Sequence, residues 1–363
     1  LIQTDVCIIG GGPAGAATAL TLGRYTKHRC LVIESSNYDS PRVGETVSSG
    51  LMPLLSYLGA ESILTDRLTA KAYGSAGAWG SDSVTERDSI YSRGGQGLHL
   101  DRLGFDRALA AATNSLGDIL RTGTRFRDVA RQHDGWVVDI EGPRGHEQVL
   151  AKYIVDATGR QARVARRMGA QRLVSDRLVG LVCHFALPEG PAVQTTFVET
   201  IADGWWYTAP LPNRQAVVAL MTDADLLRAL DLRAITGFLA KLATTAHAGT
   251  RLLGAHPITE PRVFPSESHV LQPAVGAGWV AAGDAACAFD PLASLGVGYA
   301  ITSGIQAARI VDEWLRGENG LAEAYPGDIA GHAATYSAQR QELYSAERRW
   351  PNSPFWKRRL APR

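Results

Sequence analysis

Three features predict an α/β chain in which a Rossmann-like lobe is interleaved with an antiparallel-sheet lobe and closed by C-terminal helices. The first is a glycine turn between an apolar strand and an alanine-rich helix, "DVCIIGGGPAGAATAL". The second is the recurrence of an apolar run ending in an acidic or glycine turn, at "YIVDATG" and "WVAAGD". The third is the set of segments "LVGLVCHFAL", "VQTTFVETIADGWWYTAPLP" and "QAVVALMT", whose alternation and composition are those of strands.

The glycine turn is the strongest local signal. Gly10 permits the tight turn, Gly12 lets the backbone approach a pyrophosphate, and Gly15 lets helix and strand pack closely. Pro13 and Ala14 open the helix, whose unpaired N–H groups face the phosphates. A second apolar run, Cys30 to Ile33, ends at Glu34 and Ser35, about twenty residues on, where a carboxylate can accept from both ribose hydroxyls. A bare glycine turn would not need the second strand and the acid, so the unit predicts dinucleotide binding.

Two later turns decide which dinucleotide. "YIVDATGRQARVARRMG" is a strand ending in Asp156 and Gly159, and "WVAAGDAACAFDPLASLGVG" is a strand ending in Gly283 and Asp284 before a turn-rich segment that opens a long helix. A carboxylate at a strand end, just before inward-facing helix N–H groups, suits a ribityl hydroxyl and a flavin ring better than a second nucleotide. Three such turns in this order resemble the FAD-binding fold of the single-component flavoprotein monooxygenases of the p-hydroxybenzoate hydroxylase type, over nearly the whole chain.

That resemblance implies FAD, and it puts Arg102 of "DRLGFDRALAAAT" against the cofactor. Arg42, Gly44, Glu45, Arg125, Pro291, Gly296 and Val297 complete the expected cofactor-binding set. Ala162 stands near where the hydroxylases commonly carry a serine, which weakens the nicotinamide-docking role of the middle motif. No second GxGxxG unit exists, so the electron donor is NAD(P)H bound transiently or a separate flavin reductase.

Composition narrows the partners. At 363 residues, 45% hydrophobic and 20% charged, the chain has the make-up of a globular protein, and its formal charge of +1 offers no field for nucleic acid or anionic membranes. The cysteines Cys7, Cys30, Cys183 and Cys287 have no metal or disulfide spacing, which fits a reducing compartment. No apolar run reaches the roughly 18 to 20 residues of a membrane span. The opening strand has no basic leader before it, so the expectation is a cytoplasmic protein without a membrane span.

A narrower resemblance lies in "RVGETVSSGLMPL", whose Gly44-Glu45-Thr46 turn is similar to that of the flavin-dependent tryptophan halogenases and their non-halogenating relatives. Halogenases carry a W-x-W-x-I-P element near the flavin, and here Trp205, Tyr207, Ala209 and Pro210 match it in part. They also need a lysine that holds hypohalous acid. In "KAYGSAGAWG" Ser75 takes that place, and Lys71, four residues earlier on the same expected strand, would be displaced by about 13 Å. The departure disfavours halogenation. The aromatic, basic end "YSAQRQELYSAERRWPNSPFWKRRLAPR", with "DGWWYTAPLP" and "RVGET", resembles flavoproteins that mature tryptophylquinone cofactors by oxygenating a tryptophan of a partner protein. The end reads equally as a capping helix with its charges in water.

The resemblance implies a monooxygenase that hydroxylates an electron-rich aromatic ring, small-molecule or peptide-borne, through a flavin C4a-hydroperoxide. Trp205 and Tyr207 would hold the ring, while backbone N–H groups of the Pro291 to Gly298 turn and helix start, a stretch that includes Gly296, would face the flavin pyrimidine. Core packing is the competing role for Trp205 and Tyr207, and Trp206, pointing oppositely on the strand, is read as core. His99, His184 and His269 are minor candidates for a base. A halogenase-like enzyme, a reductase of isoprenoid double bonds and a non-catalytic flavin protein remain the alternatives. Expected boundaries are 1–72, 96–175 and 270–320 for the FAD lobe, 73–95 and 176–269 for the substrate lobe, and 321–363 for the helical cap. "DLLRALDLRAITGFLAKLAT" is expected to be one helix outside the second sheet.

Overall fold

In the computed structural model, which describes all residues except 89–94, 118, 134, 191–193, 231 and 361–363, strand Ile2–Ile9 lies between two parallel neighbours. Cys30–Ile33 pairs on one side and Gly145–Asp156 on the other, with Trp279–Ala281 parallel beyond the latter. Val6, Cys7 and Ile8 are fully buried, as a parallel strand covered on both faces requires. Register sets the function of this sheet. Ile9 stands opposite Ile33 and Asp156, and Asp156 opposite Ala281. The turns that follow these strands therefore leave from one edge, the usual place for a ligand in such sheets.

Helix Pro13–Tyr25 packs on the long helix Gly296–Leu315. Thr18 donates its hydroxyl to the Gly304 carbonyl at 3.0 Å, and a Cβ on Gly304 would lie 2.3 Å from the Ala14 carbonyl oxygen. This close approach brings the start of the second helix next to the glycine turn.

The second sheet runs Leu178–Ala186, Gln215–Asp223, Gly204–Leu211 and Thr195–Ile201 as antiparallel neighbours. Gly74–Ala78 joins Thr195–Ile201 in parallel, and Thr85–Asp88 pairs beyond it. The parallel pair departs from an all-antiparallel sheet because Gly74–Ala78 arrives from a distant part of the chain, not through a hairpin. Of the expected 73–95 contribution, residues 89–94 lie outside the described part. Trp206, Leu220 and Leu181 share one face with Phe238, while Trp205, Tyr207, Ala219 and Met221 point to the other.

Two expectations change. The single helix expected over 225–244 is two, Ala224–Leu230 and Ile235–Ala243, and Leu232 between them packs into the cluster around Phe238 and Trp206. Lys71 and Ser75 do not share a strand. Lys71 lies on Thr69–Ala72, paired with Gly97–Leu100, whereas Ser75 lies on Gly74–Ala78 in the other sheet, so no common face relates them.

The C-terminal segment folds back on the aromatic strand. Phe355 and Trp356 are fully buried, and Trp356 packs edge-on against Trp79 with centroids 5.8 Å apart. Arg359 is buried and pairs with Asp223 at 2.7 Å, so this end's charges are not all in water, although Lys357 is exposed. All four cysteines are buried and free. Among the described residues no helix is long and apolar enough to cross a membrane, and no cluster of His, Cys, Asp and Glu could hold a metal ion.

Candidate functional site

A cavity of about 660 Å³ extends from the strand-end turns of the first sheet to the inner face of the second. At its first end the glycine turn does two jobs. Gly10 has φ +110°, and a Cβ there would lie 2.1 Å from the Ala157 carbonyl oxygen, so only glycine allows the turn to pass the neighbouring strand. Gly12 lines the cavity, and a Cβ there would meet nothing closer than Arg42 Nη1 at 3.9 Å. Space is thus left where a phosphate would sit, ahead of a helix that Pro13 begins without a side-chain cap.

Glu34 is buried at this end. Its Oε2 accepts the Gly11 N–H at 2.8 Å, and its Oε1 accepts the Ser36 N–H at 2.8 Å. Arg42 reaches Asp106 at 3.2 Å and lies over the Tyr38 ring. Arg102 pairs with Asp106 at 3.1 Å and donates to the carbonyls of Val43 and Gly44, clamping the Gly44 turn, whose φ is +98°. Ser35, Arg125 and Gly159 complete this end of the lining.

The cavity's middle is closed by the third turn. Asp284 lines it and pairs with Arg160 at 3.3 Å. Pro291, Gly296 and Val297 follow, and the Asp290 carboxylate caps the turn by accepting the Leu292 N–H at 3.0 Å. The other oxygen of Asp290 accepts from Tyr344 Oη at 2.7 Å, and Tyr344 Oη in turn accepts the Trp205 Nε1–H at 3.1 Å. One buried carboxylate therefore ties the cofactor-side turn, helix Gly320–Ser345 and the aromatic strand together.

At the far end Trp205 and Tyr207 both line the cavity, with Val182, Val217, Ala219, Met221 and Phe264 beside them. Tyr207 Oη lies 2.7 Å from Thr46 Oγ1, which is 3.0 Å from His99 Nδ1. Burial pushes the Glu45 carboxyl up against the opposing pull of backbone N–H groups and Arg102, and burial holds His99 neutral, down to about 4.

Three expected cofactor residues do not line the cavity. A Cβ on Gly15 would lie 1.8 Å from the Gly10 carbonyl oxygen, so this glycine serves packing behind the turn. Asp156 is fully buried and accepts from the Thr158 N–H, the Thr158 hydroxyl and the Ala165 N–H, all within 2.9 Å, so it holds the middle turn in shape. Gly283, with φ +61°, sits against Ala14. Sequence reasoning passed over Arg160, Thr46, Asp290 and Tyr344. Arg160 is one of several arginines in "GRQARVARR", and Asp290 and Tyr344 gain their roles only by meeting across 54 residues.

A family model described as an FAD binding domain matches residues 3–333. The putative FAD-dependent oxidoreductase LodB of Marinomonas mediterranea is 31% identical over 361 residues, covering 98% of this chain and 97% of that protein. CmlS, a flavin-dependent halogenase, superposes with a TM-score of 0.88 at 25% identity, covering 100% of this chain and 68% of the other. QhpG, a peptidyl tryptophan dihydroxylase essential for tryptophylquinone cofactor biogenesis, gives 0.78 at 26%, covering 99% and 79%. The open cradle at Gly12, the adjoining helix start and the acid at Glu34 fit the phosphates and ribose of an FAD.

Proposed function

This chain belongs to the FAD-binding-domain family and is an FAD-dependent oxidoreductase, and from that premise we propose that it is a monooxygenase of an electron-rich aromatic ring. The ring we assign is a tryptophan side chain of a peptide or protein that is matured to a quinone cofactor. The observation that carries this reading is the inner face of the second sheet, where Trp205 and Tyr207 meet aliphatic neighbours to make a flat, mostly apolar wall continuous with the cofactor cradle. Among the described residues no lysine lines that cavity, and Ser75 is exposed and away from it. Among the described lining residues no side-chain amine is thus offered to an oxidised halide, which favours oxygenation in this reading. The likeness to a peptidyl tryptophan dihydroxylase supports a peptide-borne ring over a free one.

When bound and reduced, by NAD(P)H or a separate flavin reductase, the flavin supplies activated oxygen. The protein's residues bind and orient. Gly12 and the start of helix Pro13–Tyr25 would hold the pyrophosphate, and Glu34 the ribose. The uncapped start of helix Gly296–Leu315 would offer N–H groups to negative charge on the flavin pyrimidine. Trp205 and Tyr207 exclude water and present rigid faces to the ring, which stays in line with the cofactor only while that wall holds.

The experiment incubates the FAD-loaded enzyme, a reductant and dioxygen with candidate tryptophan-bearing partner proteins, with chloride and bromide present, and measures intact mass. A gain of one or two oxygen atoms on the partner, mapped to a tryptophan, is the expected result. Halogenated product, or reduced flavin consumed with every candidate unchanged, would count against the proposal.

A further inference from the structure

Four of the chain's eight tryptophans gather on the Trp205 side of the second sheet, and they lie in a row. Trp205 is the cavity end. Its ring centroid is 6.1 Å from that of Trp79, Trp79 is 5.8 Å from Trp356, and Trp356 is 6.3 Å from Trp350, which is half-buried at the surface. Each step is a direct ring contact, since aromatic pairs touch at centroid separations of about 4.5–7 Å. Trp79 follows strand Gly74–Ala78, Trp205 lies on Gly204–Leu211, and Trp350 and Trp356 come from the folded-back C-terminal segment, so only the tertiary structure makes the row.

The surroundings of the four indoles differ along it. The three inner N–H groups donate to oxygens: Trp205 to Tyr344 Oη at 3.1 Å, Trp79 to the Leu343 carbonyl at 2.8 Å, and Trp356 to the Ile201 carbonyl at 2.8 Å. Such an acceptor eases positive charge on an indole and holds its proton in place. Among the described residues nothing accepts the Trp350 N–H, and the Arg349 guanidinium lies 4.3 Å from the Trp350 ring centre. An adjacent cation opposes a positive ring, so an oxidised Trp350 gives its N–H proton to water and becomes a neutral radical. Tyr344 borders the same rings, 5.9 Å from Trp79 and from Trp356, but its phenol donates to Asp290 at 2.7 Å. Its oxidation must also move that proton to a buried carboxylate, so the indoles form the simpler route.

We propose that this row is a one-electron path between the FAD cavity and the protein surface, serving light-excited oxidised FAD, a far stronger one-electron oxidant than FAD in the dark. Trp205 gives one electron to the excited cofactor. Trp79 refills Trp205, Trp356 refills Trp79, and Trp350 refills Trp356, so one electron moves inward and one positive charge outward. Trp350 then loses its proton to water, and a reductant in solution, ascorbate or a thiol, returns an electron with a proton. The sum is one electron passed from the solution donor to the cofactor, with the cavity wall restored. The path needs bound FAD and is independent of which ring is hydroxylated, so it goes beyond the function proposed above.

The test excites the FAD-loaded protein with a blue laser pulse in the absence of oxygen and follows it by transient absorption and spin resonance. Wild type should form a long-lived neutral tryptophan radical, and with ascorbate present its yellow colour should bleach under steady blue light. Trp350→Phe changes a half-buried ring outside the cavity and should keep FAD, yet lose the long-lived radical and the bleaching. Trp79→Phe, which interrupts the row one step from the cavity, should lose both as well. Trp314→Phe is the control: Trp314 packs on Tyr153, off the row, and both signals should survive its loss. Absence of a tryptophan radical in the wild type, or a Trp350→Phe variant with the wild-type radical and bleaching, overturns the proposal. Equal loss in Trp314→Phe overturns it too, since the effect would then not follow the row. If Trp79→Phe fails to fold, Trp350→Phe alone decides. Protein that holds no FAD counts against the cofactor reading and against this path with it.

Discussion

The Trp205 indole is 1% exposed, its N–H is fixed by Tyr344, and its ring packs near Trp79 at 6.1 Å, yet it also lines the cavity. Core and cavity wall are therefore not alternatives for this side chain. Trp205→Leu should cost about 2–4 kcal/mol, toward the low end for loss of a large buried aromatic because leucine refills part of the space. The folded fraction should still carry FAD, since the cradle lies at the other end of the cavity. Hydrogen peroxide released per reduced flavin should rise while hydroxylated product falls, because a loosely held ring misses the reacting oxygen. Denaturant midpoint and peroxide yield are the two measurements. A variant as tightly coupled as wild type would show that the wall does not hold the ring.

Glycine turns separate folding from binding at the scale of a single element. Gly10 sits at φ +110° with a neighbouring carbonyl where a Cβ would go, so Gly10→Ala should strain the turn and lower the thermal midpoint even before cofactor is considered. At Gly12 the side chain would enter the cavity, with nothing but Arg42 near it. Gly12→Val should therefore fold, with secondary structure unchanged by circular dichroism, and purify colourless because the phosphates cannot approach. Yellow Gly12→Val protein with ordinary FAD affinity would move the pyrophosphate elsewhere. The third turn shows the same economy: Asp290 caps it from within and accepts from Tyr344 of helix Gly320–Ser345, so one carboxylate both shapes the turn and anchors that helix.

Across the whole molecule, buried titratable groups set the response to acid. Burial lowers His99 from 6.5 to about 4, and burial together with the Arg172 and Arg160 charges lowers His269 from 6.5 to about 3. Both are neutral in the fold and bind a proton more readily when unfolded. Their contribution is complete above about pH 6.5 and is lost as pH falls toward 4 and 3. Burial alone would raise Glu347, but Arg349, Thr200 and backbone N–H groups outweigh it and bring it from 4.5 to about 2, so its contribution is present above pH 4.5 and lost below. The three effects have one sign. Glu45, Asp156 and Asp290, whose carboxyls burial raises, act the other way over the same range. The denaturant midpoint of the wild type should therefore fall more steeply from pH 6.5 to 4 than that of His269→Gln, which removes one titration and leaves the carboxyls in place; equal slopes would contradict this assignment of charges.

Short stretches whose backbone demands are local were legible without the structure. Gly10, Gly12, Glu34 and the Gly283 turn announce themselves because a tight turn, a close phosphate and a strand end each constrain residues within a few positions of one another. Alternation also told that Trp205 and Tyr207 share a side of their strand, since successive side chains point to opposite faces. Which side faces the cavity was decided only when the helices Ala224–Leu230 and Ile235–Ala243 covered the face of Trp206. Likewise, "KAYGS" reads as one strand, but the chain leaves one sheet and enters another at Tyr73, and no local pattern records that change of partner. Thr46 and Tyr207 meet across 161 positions, and Asp290 and Tyr344 across 54. The cradle for the cofactor is thus written in local sequence. The apolar wall of the cavity came from tertiary packing, because a residue's partners there are chosen by which sheet faces close on one another and not by its neighbours along the chain.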